Sequence, residues 1–345
     1  MAALLLASGL AGCGGEEKAS AGPAELAGDT IEDICAAGTD EGTVRREATP
    51  DQAGDWPAYG SGFTDEFDIE LEVTDGAGGG GRDLPAKFLP EKQTGQDFSS
   101  DMFQARQYEV GVLLNDDYTE DIDWAALGYP TEMLSTDADH RGLRTERHAF
   151  GLTYNSEKYS EDEVPSTYEE LLDPKWAGKI AIDPTGSQLG PLGMSEGLGL
   201  DGAQEWFDEF SEVAKPVVFE GNTASAEAIA TGQFDLTLNT SDHNAQALTD
   251  EGLPVEFKFL DYVPLNDLYH FVVAGTPRPN GAVCFAAWWS DPEGGTKVMG
   301  ELEGVANDDI PPGTPEDSKV IAAKTEEDIE SAAVFADYVA QALAG

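Results

Sequence analysis

The sequence predicts an α/β protein of two lobes that are joined by two crossover strands. Its 345 residues are enough for two domains with separate cores, at roughly 100–200 residues per domain. Short apolar strands alternate with helices through both halves of the chain, which is typical of α/β folds. An apolar and aromatic run at residues 149–154 lies between the halves and indicates the first crossover.

In the first half we predict strands at residues 34–37, 69–74 and 108–115, and helices at 56–67 and 84–93. In the second half we predict helices at 204–214 and 224–231, and strands at 179–182, 217–219, 234–238 and 255–260. Ser166 and Glu169 have the spacing of a capping box, and Asp173-Pro174 ends the brief helix that they begin. Residues 269–274 are expected to form the second crossover, after which a helix at 282–289 and a helical region at 318–343 pack on the first lobe.

The charge of the chain excludes some partners. Acidic residues number 67 against 19 basic ones, for a formal net charge of -48, which argues against binding to nucleic acid or to an anionic membrane surface. Disorder is the competing explanation of such a charge, but 40% apolar content with six Trp argues for a folded core. We therefore expect a solvated acidic shell of the kind found in salt-loving organisms.

The N-terminal residues 1–15 are predicted to be a targeting signal, because their apolar run is too short to span a bilayer. The run ends in Leu10-Ala11-Gly12-Cys13, which resembles the lipobox at which Cys13 receives lipid; an N-terminal helix is the alternative. No Lys or Arg precedes the run, which favours a start codon upstream. Residues 14–27 would then be a flexible tether, and the body of the protein would lie outside the cytoplasm.

Two cysteines remain, Cys35 and Cys284. An exported compartment permits a disulfide, but a strand cysteine and a helix cysteine can equally be two buried apolar residues. Two free thiols are the preferred interpretation, and no spacing of these residues indicates a metal site.

Two segments carry a family resemblance. Residues 151–159 (GLTYNSEKY) and 164–187 (VPSTYEELLDPKWAGKIAIDPTGS), together with 274–295 (AGTPRPNGAVCFAAWWSDPEGG), resemble the solute-binding proteins of ABC importers, in particular the ferric-iron-binding class. The resemblance implies a two-lobed fold of the periplasmic-binding-protein type II. It implies a signal and tether at 1–27, a first lobe at 28–150 plus 270–345, and a second lobe at 151–269. It also implies a monomer that captures a small ligand and delivers it to the importer's membrane subunits.

A glycine-rich run follows the second predicted strand. Gly76, Gly78 and Gly81 match G-x-G-x-x-G, with Asp97 near the place of the ribose-binding acid. Five glycines in six positions match this pattern almost by necessity, so dinucleotide binding is disfavoured. A loop whose amides and Arg82 face an anion at a helix N-terminus and a plain surface loop both remain open.

Candidate ligand-binding residues follow the predicted strands, because ligands of open α/β sheets bind at the carboxyl ends of strands. On this basis Thr39 and Asp40 are expected to face the ligand from the first lobe. The resemblance implies an anion-binding loop at Thr185, Gly186 and Ser187. It also implies a polar group that consists of Asn222, Asn239, Thr240 and Ser241.

This sequence differs from the ferric-iron-binding class at the residues that bind the metal. The ferric class uses two adjacent tyrosines, and their place holds Asp242-His243. A carboxylate and an imidazole can coordinate a metal, can hydrogen-bond an organic ligand, or can simply form the acidic start of a helix with a neighbouring histidine. The carried solute is therefore an anion, a metal chelate or ferric iron, with no further cofactor expected.

Enzyme motifs are missing. The sequence has no G-x-S-x-G elbow, no H-E-x-x-H and no cysteine beside a matching histidine. No catalytic residue is predicted, and a secreted, lipid-anchored hydrolase is the alternative function. An adhesive lipoprotein is a third class, but the repeats expected of it are absent.

We predict that the mature protein begins at a lipid-modified Cys13. Mass spectrometry of the membrane-extracted protein should show loss of residues 1–12 and the added mass of lipid. An unmodified Cys13 that still carries the preceding residues would contradict this prediction.

Overall fold

The computed structural model describes residues 25–48, 56–75, 81, 83–94, 98–115, 118–137, 139–238, 240–302 and 307–344. Their strands form two sheets, which confirms the predicted α/β class. The first sheet contains β1 (Thr43–Ala48), β2 (Glu70–Asp75), β3 (Met102–Ala105), β4 (Leu143–Ala149), β10 (Tyr262–Val272) and β11 (Lys319–Ile321). The second sheet contains β5 (Leu152–Asn155), β6 (Ile180–Ile182), β7 (Val217–Val218), β8 (Leu236–Thr237) and β9 (Val255–Lys258).

The helices lie before, between and after these strands. The longer ones in the described ranges are α1 (Ile31–Glu41), α2 (Trp56–Phe67), α3 (Leu84–Thr94), α4 (Gly111–Asn115), α5 (Leu200–Val213), α6 (Asn222–Ala230), α7 (Asp242–Asp250), α8 (Pro279–Ser290), α9 (Gly295–Leu302) and α10 (Glu326–Ala344). Short 3-10 turns occur at Gln107–Glu109, Thr131–Met133, Glu169–Leu172, Pro174–Trp176 and Gly190–Gly193.

The chain passes between the sheets twice within the described ranges. It leaves the first sheet after β4 and enters the second at β5, where the sequence predicted the first crossover. It returns between Lys258 and Tyr262, earlier than predicted. Residues 269–272 instead belong to β10, where Tyr269 pairs with Ala105 and Val272 pairs with Met102. A single long strand takes up both the return and the pairing, so the predicted second crossover was misplaced.

The predicted strand at residues 34–37 is wrong, because this segment lies in α1. Thr30 caps the helix by accepting a hydrogen bond from the amide of Asp33. Ile34 and Gly38 are buried at helical spacing, and Gly42, with φ 77°, ends the helix. The true first strand, β1, begins immediately afterwards. Its charged residues concealed it from pattern analysis.

The predicted strand at residues 108–115 is also wrong. It forms the 3-10 turn at Gln107–Glu109 and helix α4. Val110, Leu113 and Leu114 recur at the i, i+3, i+4 spacing of a helix and pack in one cluster with Leu84 and other apolar side chains of α3. The apolar period of this segment is therefore helical.

The capping interaction lies one residue later than predicted. The hydroxyl of Thr167 accepts from the amide of Glu170, and the carboxylate of Glu170 accepts from the amide of Ser166. The brief helix spans Glu169–Leu172 and ends before Asp173-Pro174, as predicted. A Ser/Thr hydroxyl and a Glu carboxylate thus accept hydrogen bonds from backbone amides at the helix start, as predicted, but Thr167 and Glu170 do so instead of Ser166 and Glu169.

The C-terminal helix α10 packs against the second sheet's unit, whereas we predicted that it would pack on the first. Its Phe335 and Val339 belong to the core cluster that also contains Ile180 and Phe207. A set of glycines permits the close approach, because a Cβ there would lie 2.7–3.0 Å from α10 atoms; the set is Gly186, Gly190 and Gly193. Only β11, before the helix, joins the first sheet.

A disulfide joins Cys35 on α1 to Cys284 on α8. The two free thiols that we preferred are therefore wrong. The helices approach closely because Gly38 and Gly281 meet, so that a Cβ on Gly38 would lie 3.1 Å from the backbone of Gly281. The two cysteines, 249 residues apart in sequence, thereby come within bonding distance.

Reduction of this disulfide is expected to destabilise the protein. Because the bond closes a loop whose ends are 249 residues apart, opening it should lower the free energy of unfolding by about 5 kcal/mol through the entropy of the unfolded chain. Urea unfolding with and without reductant measures the effect. A double variant, Cys35→Ala with Cys284→Ala, should not respond to reductant. An unchanged urea midpoint for the wild type in reductant would contradict the prediction.

Candidate functional site

The carboxyl ends of strands from both sheets meet around Tyr108. Its hydroxyl lies 3.1 Å from the carbonyl oxygen of Ser187 and 3.2 Å from Oδ1 of Asn266. The side-chain amide of Asn266 also donates, through Nδ2, to the carbonyl oxygen of Ser187 at 3.3 Å. Tyr108 follows β3 of the first sheet and Ser187 follows β6 of the second, so this contact marks the boundary between the two sheets' ligand edges.

Arg106 supplies a buried cation at this boundary. It directly follows β3, and its Nη1 lies 3.5 Å from Oε2 of Glu109. Burial alone would lower the pKa of the Arg106 guanidinium, but the charge and hydrogen bond of Glu109 and the charge of Asp183 raise it overall. Asp183 follows β6, so the two sheets bring opposite charges within electrostatic reach of each other.

Asp183 organises the second sheet's edge. Its Oδ1 accepts from both the amide and the hydroxyl of Thr185, and its Oδ2 accepts from the amide of Gly221 at 3.2 Å. The amide of Ser187 donates to the Thr185 hydroxyl. The loop at Thr185, Gly186 and Ser187 was expected to offer its amides to an external anion. In the structure an internal carboxylate already accepts the Thr185 amide and adds negative charge.

Gly186 has a packing role. Its φ is 66°, and a Cβ there would lie 2.7 Å from the carbonyl oxygen of Ala336 on α10. The absence of a side chain at Gly186 therefore permits the close approach of the C-terminal helix.

The polar group at the start of α6 forms as one cluster. Oδ1 of Asn222 accepts from the amide of Ser241, and its Nδ2 donates to the Ser241 hydroxyl at 3.2 Å. The hydroxyl of Thr240 donates to the Asn222 carbonyl. Gly221, whose amide binds Asp183, directly precedes Asn222, so these side chains share one edge of the second sheet.

Asn239, Arg82, Asp97 and Cys13 lie outside the described residues.

Asp242 and His243 begin α7. Oδ1 of Asp242 accepts from the amide of His243 at 2.9 Å. The buried His243 ring packs edge-on against His148, with centroids 4.8 Å apart, and its Nε2 lies 3.3 Å from the Ser241 hydroxyl. Over the ranges that the structure describes, no group of three or more His, Cys, Asp or Glu is placed to hold a metal ion. These contacts match the helix-start alternative for Asp242-His243.

Thr39 and Asp40 lie elsewhere. Both are exposed in the last turn of α1, and the Thr39 hydroxyl donates to the carbonyl of Phe67. This turn precedes β1 and thus lies at the opposite end of that strand from its carboxyl edge. The prediction that they face the ligand depended on a strand at 34–37, and it is wrong for the same reason.

A buried polar network in the first sheet was missed by sequence analysis. Arg46 donates to Oε1 of Gln104 at 3.0 Å, and Gln104 donates to Oε1 of Glu146 at 2.7 Å. Oε2 of Glu146 lies 3.3 Å from Nε2 of His148, the residue that contacts His243. The only available signal was the presence of charged residues within apolar strands. Such charges are seldom buried unless they are paired.

The network shifts the protonation of its members. Burial alone would raise the pKa of Glu146, but hydrogen bonds from His148 and Gln104 and the charge of Arg46 lower it overall. Burial, and then the charge of Arg46, holds the pKa of His270 well below its ordinary value. His270 accepts a hydrogen bond from Arg46 through Nε2, at 3.1 Å, and this contact requires the neutral imidazole.

Comparison with known proteins identifies the family. The family model for bacterial extracellular solute-binding proteins matches residues 58–312 of this chain. The chain belongs to this family. The match confirms the predicted class of protein, and the extracellular family agrees with the predicted location outside the cytoplasm. No helix in the described part of the chain is both long enough and apolar enough to cross a bilayer.

Among curated proteins, iron uptake protein A1 of Synechocystis is 33% identical over 105 residues. That match covers 29% of this chain and 28% of the relative, so it spans less than a third of either protein.

Solved structures of solute-binding proteins share the fold. Iron-bound HitA from Pseudomonas aeruginosa is 16% identical, with 87% of this chain and 99% of that chain covered and a TM-score of 0.68. Trichodesmium FutA with iron and citrate is 19% identical, with 86% and 97% covered and a TM-score of 0.64. AfuA from Actinobacillus pleuropneumoniae with fructose-6-phosphate is 14% identical, with 87% and 96% covered and a TM-score of 0.64. These likenesses confirm the predicted two-lobed type II fold.

The neutral state of His270 predicts that this solute-binding protein loses stability in mild acid. Below the ordinary pKa of 6.5, the unfolded chain binds a proton that folded His270 does not bind. The free energy of unfolding should therefore fall by about 1.4 kcal/mol per pH unit from that value down to the folded pKa. Urea unfolding at pH 7.5 and 5.5 measures the loss.

His270→Gln is the matched control, because glutamine keeps an acceptor for Arg46 and cannot titrate. Its stability should change less between pH 7.5 and 5.5 than that of the wild type, by about 1.4 kcal/mol. Equal pH dependence of the two proteins would show that His270 is not the titrating group.

Proposed function

We propose that this protein is the extracytoplasmic solute-binding component of an ABC importer. It captures a small solute between two lobes and delivers it to the importer's membrane subunits. The family match and the shared fold of iron, citrate and sugar-phosphate carriers support this function. The proteins named in these matches are binding or uptake proteins, and none of them supports the alternative of a secreted hydrolase.

The observation that carries the proposal is the meeting of two polar strand edges at the boundary between the lobes. The chain crosses this boundary after β4, between β9 and β10, and again between β11 and α10. Arg106 and Tyr108 lie on the first sheet's side, and the Asp183 and Asn222 cluster lies on the second. A ligand that contacts both edges favours the closed arrangement by its differential affinity for it.

The two lobes are assigned from the sheets. We assign residues 28–150 and 262–321 to the first lobe, and 151–258 with α10 to the second. This differs from the sequence-based division, which placed the boundary at 269 and the whole C-terminal region in the first lobe. The short connections that pass from one lobe to the other then act as the hinge.

The solute is proposed to be an organic anion or a metal chelate. Arg106 can attract an anionic group, while the hydroxyls and amides around Asn222 can bind polar groups of the same solute. Bare ferric iron is less favoured, because Asp242-His243 stands in the place of the tyrosine pair and is engaged at the start of α7. Ferric iron is the second candidate, since the partial curated match is to an iron uptake protein.

Attachment to the cell surface completes the proposal. A lipid on Cys13 would hold the protein at the membrane through residues 14–27, and the protein would act as a monomer.

A thermal-shift screen identifies the solute, and closure then tests the function. The panel is citrate, ferric citrate, inorganic phosphate, phosphonates, polyamines, thiamine and sulfate. A compound at about 100 times its Kd should stabilise the fold by about 2.7 kcal/mol. Small-angle scattering should then show a smaller radius of gyration with that compound, because the lobes close. No hit, or a hit without compaction, would count against the proposal.

Variants locate the solute in the cleft. Asn222→Ala should weaken binding about tenfold, the loss expected for one hydrogen bond to a charged group. Gln233→Ala is the matched control, because this exposed side-chain amide lies beyond the C-terminal end of α6, whereas Asn222 lies at its start. Comparison of citrate with ferric citrate at pH 5.5 and 7.5 separates the two candidates. Ferric binding that weakens in acid and disappears in His243→Ala would favour the iron carrier.

A further inference from the structure

A second cavity lies beside the crossover strands, on the sheet face opposite the Glu146–His148 side chains. Its volume is about 480 Å³, within the range of small-ligand pockets. The residues of the cleft at 183–187, 222 and 240–243 do not line it. Its walls come from the 131–136 segment, β4, β10, Asp309 and the segment between β11 and α10.

Several basic side chains line the cavity, although the chain has few basic residues. Arg144, Arg147 and Lys324 line it, together with His140, although the whole sequence has 19 basic residues against 67 acidic ones. Burying guanidinium groups is costly unless they are paired. The partners of these two arginines therefore decide what the cavity can bind.

The two arginines differ in how firmly they are paired. Arg147 binds both carboxylate oxygens of the largely buried Asp267, at 2.6 and 2.7 Å, which is a fixed two-point pair. Arg144 donates to Oδ1 of Asn307 at 2.8 Å. A second carboxylate, that of Asp309, contacts both guanidinium groups through one oxygen, at 3.1 Å from Arg144 and 3.3 Å from Arg147.

Asp309 is the exchangeable partner. Its side chain is 70% exposed, whereas those of the arginines are 4% and 7% exposed. An exposed ion pair contributes little free energy, because water competes for the carboxylate and the side chain loses entropy when it is fixed. A carboxylate from solution can therefore take the place of Asp309 while Asp267 and Asn307 keep the arginines in position.

One part of the remaining wall is apolar and consists of Leu134, Val320, Ala322 and Ala323 with the ring of Tyr269. The other part is polar and consists of Thr131, Glu132, Ser135 and Thr136. A molecule that presents a carboxylate to Arg144 and Arg147 would place its hydrocarbon part against the apolar wall and remove apolar surface from water.

We propose that this cavity is a second ligand site for a small organic carboxylate with an apolar body. The carboxylate binds Arg144 and Arg147 in exchange for Asp309, and the body covers the apolar wall. The site is separate from the solute cleft and does not depend on which solute the cleft carries. Because β4 and β10 continue into the crossovers, an occupant here contacts the strands about which the lobes would close.

Benzoate is the probe, with benzylammonium as a cation of the same body and inorganic phosphate as an anion without one. Ligand-observed NMR should show saturable binding of benzoate and none of the other two at this site. Asp309→Asn should tighten benzoate binding about threefold, because the competing carboxylate is gone. Arg144→Gln should weaken it about tenfold, since a charged hydrogen bond is lost.

Asp308→Asn is the matched control, because it removes the same charge from the neighbouring residue, which does not line the cavity. It should leave benzoate affinity unchanged. If Arg144→Gln fails to fold, the comparison of the two aspartate variants still decides. No saturable binding in either wild type or Asp309→Asn, equal tightening in Asp308→Asn, or loss of benzoate binding in Asn222→Ala would each overturn the proposal.

Discussion

The first sheet is built around the buried guanidinium of Arg46. It contacts residues on β3, β10 and α8: it donates to Gln104 and His270 and lies over the ring of Trp289, 4.9 Å from its centroid. A buried charge whose partner is removed costs about 3–5 kcal/mol. The positions of β3, β10 and α8 are therefore tied to one side chain on β1. The same network continues through Glu146 to His148, so the core of this sheet leads directly to the boundary between the lobes.

The second sheet's edge depends on a carboxylate in a comparable way. Asp183 accepts hydrogen bonds from the loop that follows β6 and from Gly221 before α6, and thereby extends the contact between β6 and β7 beyond the ends of these paired strands. These hydrogen bonds fix the conformation of the loop. The consequence for function is electrostatic. A solute that enters from the first-lobe side meets a cation at Arg106 and an anion at Asp183, which favours a solute with both polar and anionic groups over a bare anion.

The two sides of the crossover strands have different chemistry. The side that contains His148 faces α7 and the cleft cluster, through the edge-on contact of the His148 and His243 rings and the contact of His243 with the Ser241 hydroxyl. The opposite side contains Arg147 and Tyr269 and opens to a cavity. Because the same two strands form both sides, packing changes on either side act on the same backbone. Coupling between the cleft and this cavity therefore requires no long path through the protein.

The sequence by itself determined the features that depend on neighbouring residues. It predicted the α/β class, the first crossover at residues 149–154 and the short helix that ends before Asp173-Pro174. Each of these follows from local periodicity or from proline. The grouping of Asn222, Thr240 and Ser241 was instead implied by the family resemblance.

Tertiary structure decided the rest, because the determining contacts join residues far apart in the chain. The bond between Cys35 and Cys284 requires the close approach of two helices. The position of α10 depends on glycines such as Gly190, where a side chain would collide with the helix. The need for glycine at this position is apparent only once the helix is seen to pack there. The strand β1 was hidden because Arg46 is charged, and only its distant partners make that charge compatible with a core. The sequence around Arg46 does not reveal these partners, because they are distant in the chain and come close to Arg46 only in the folded protein.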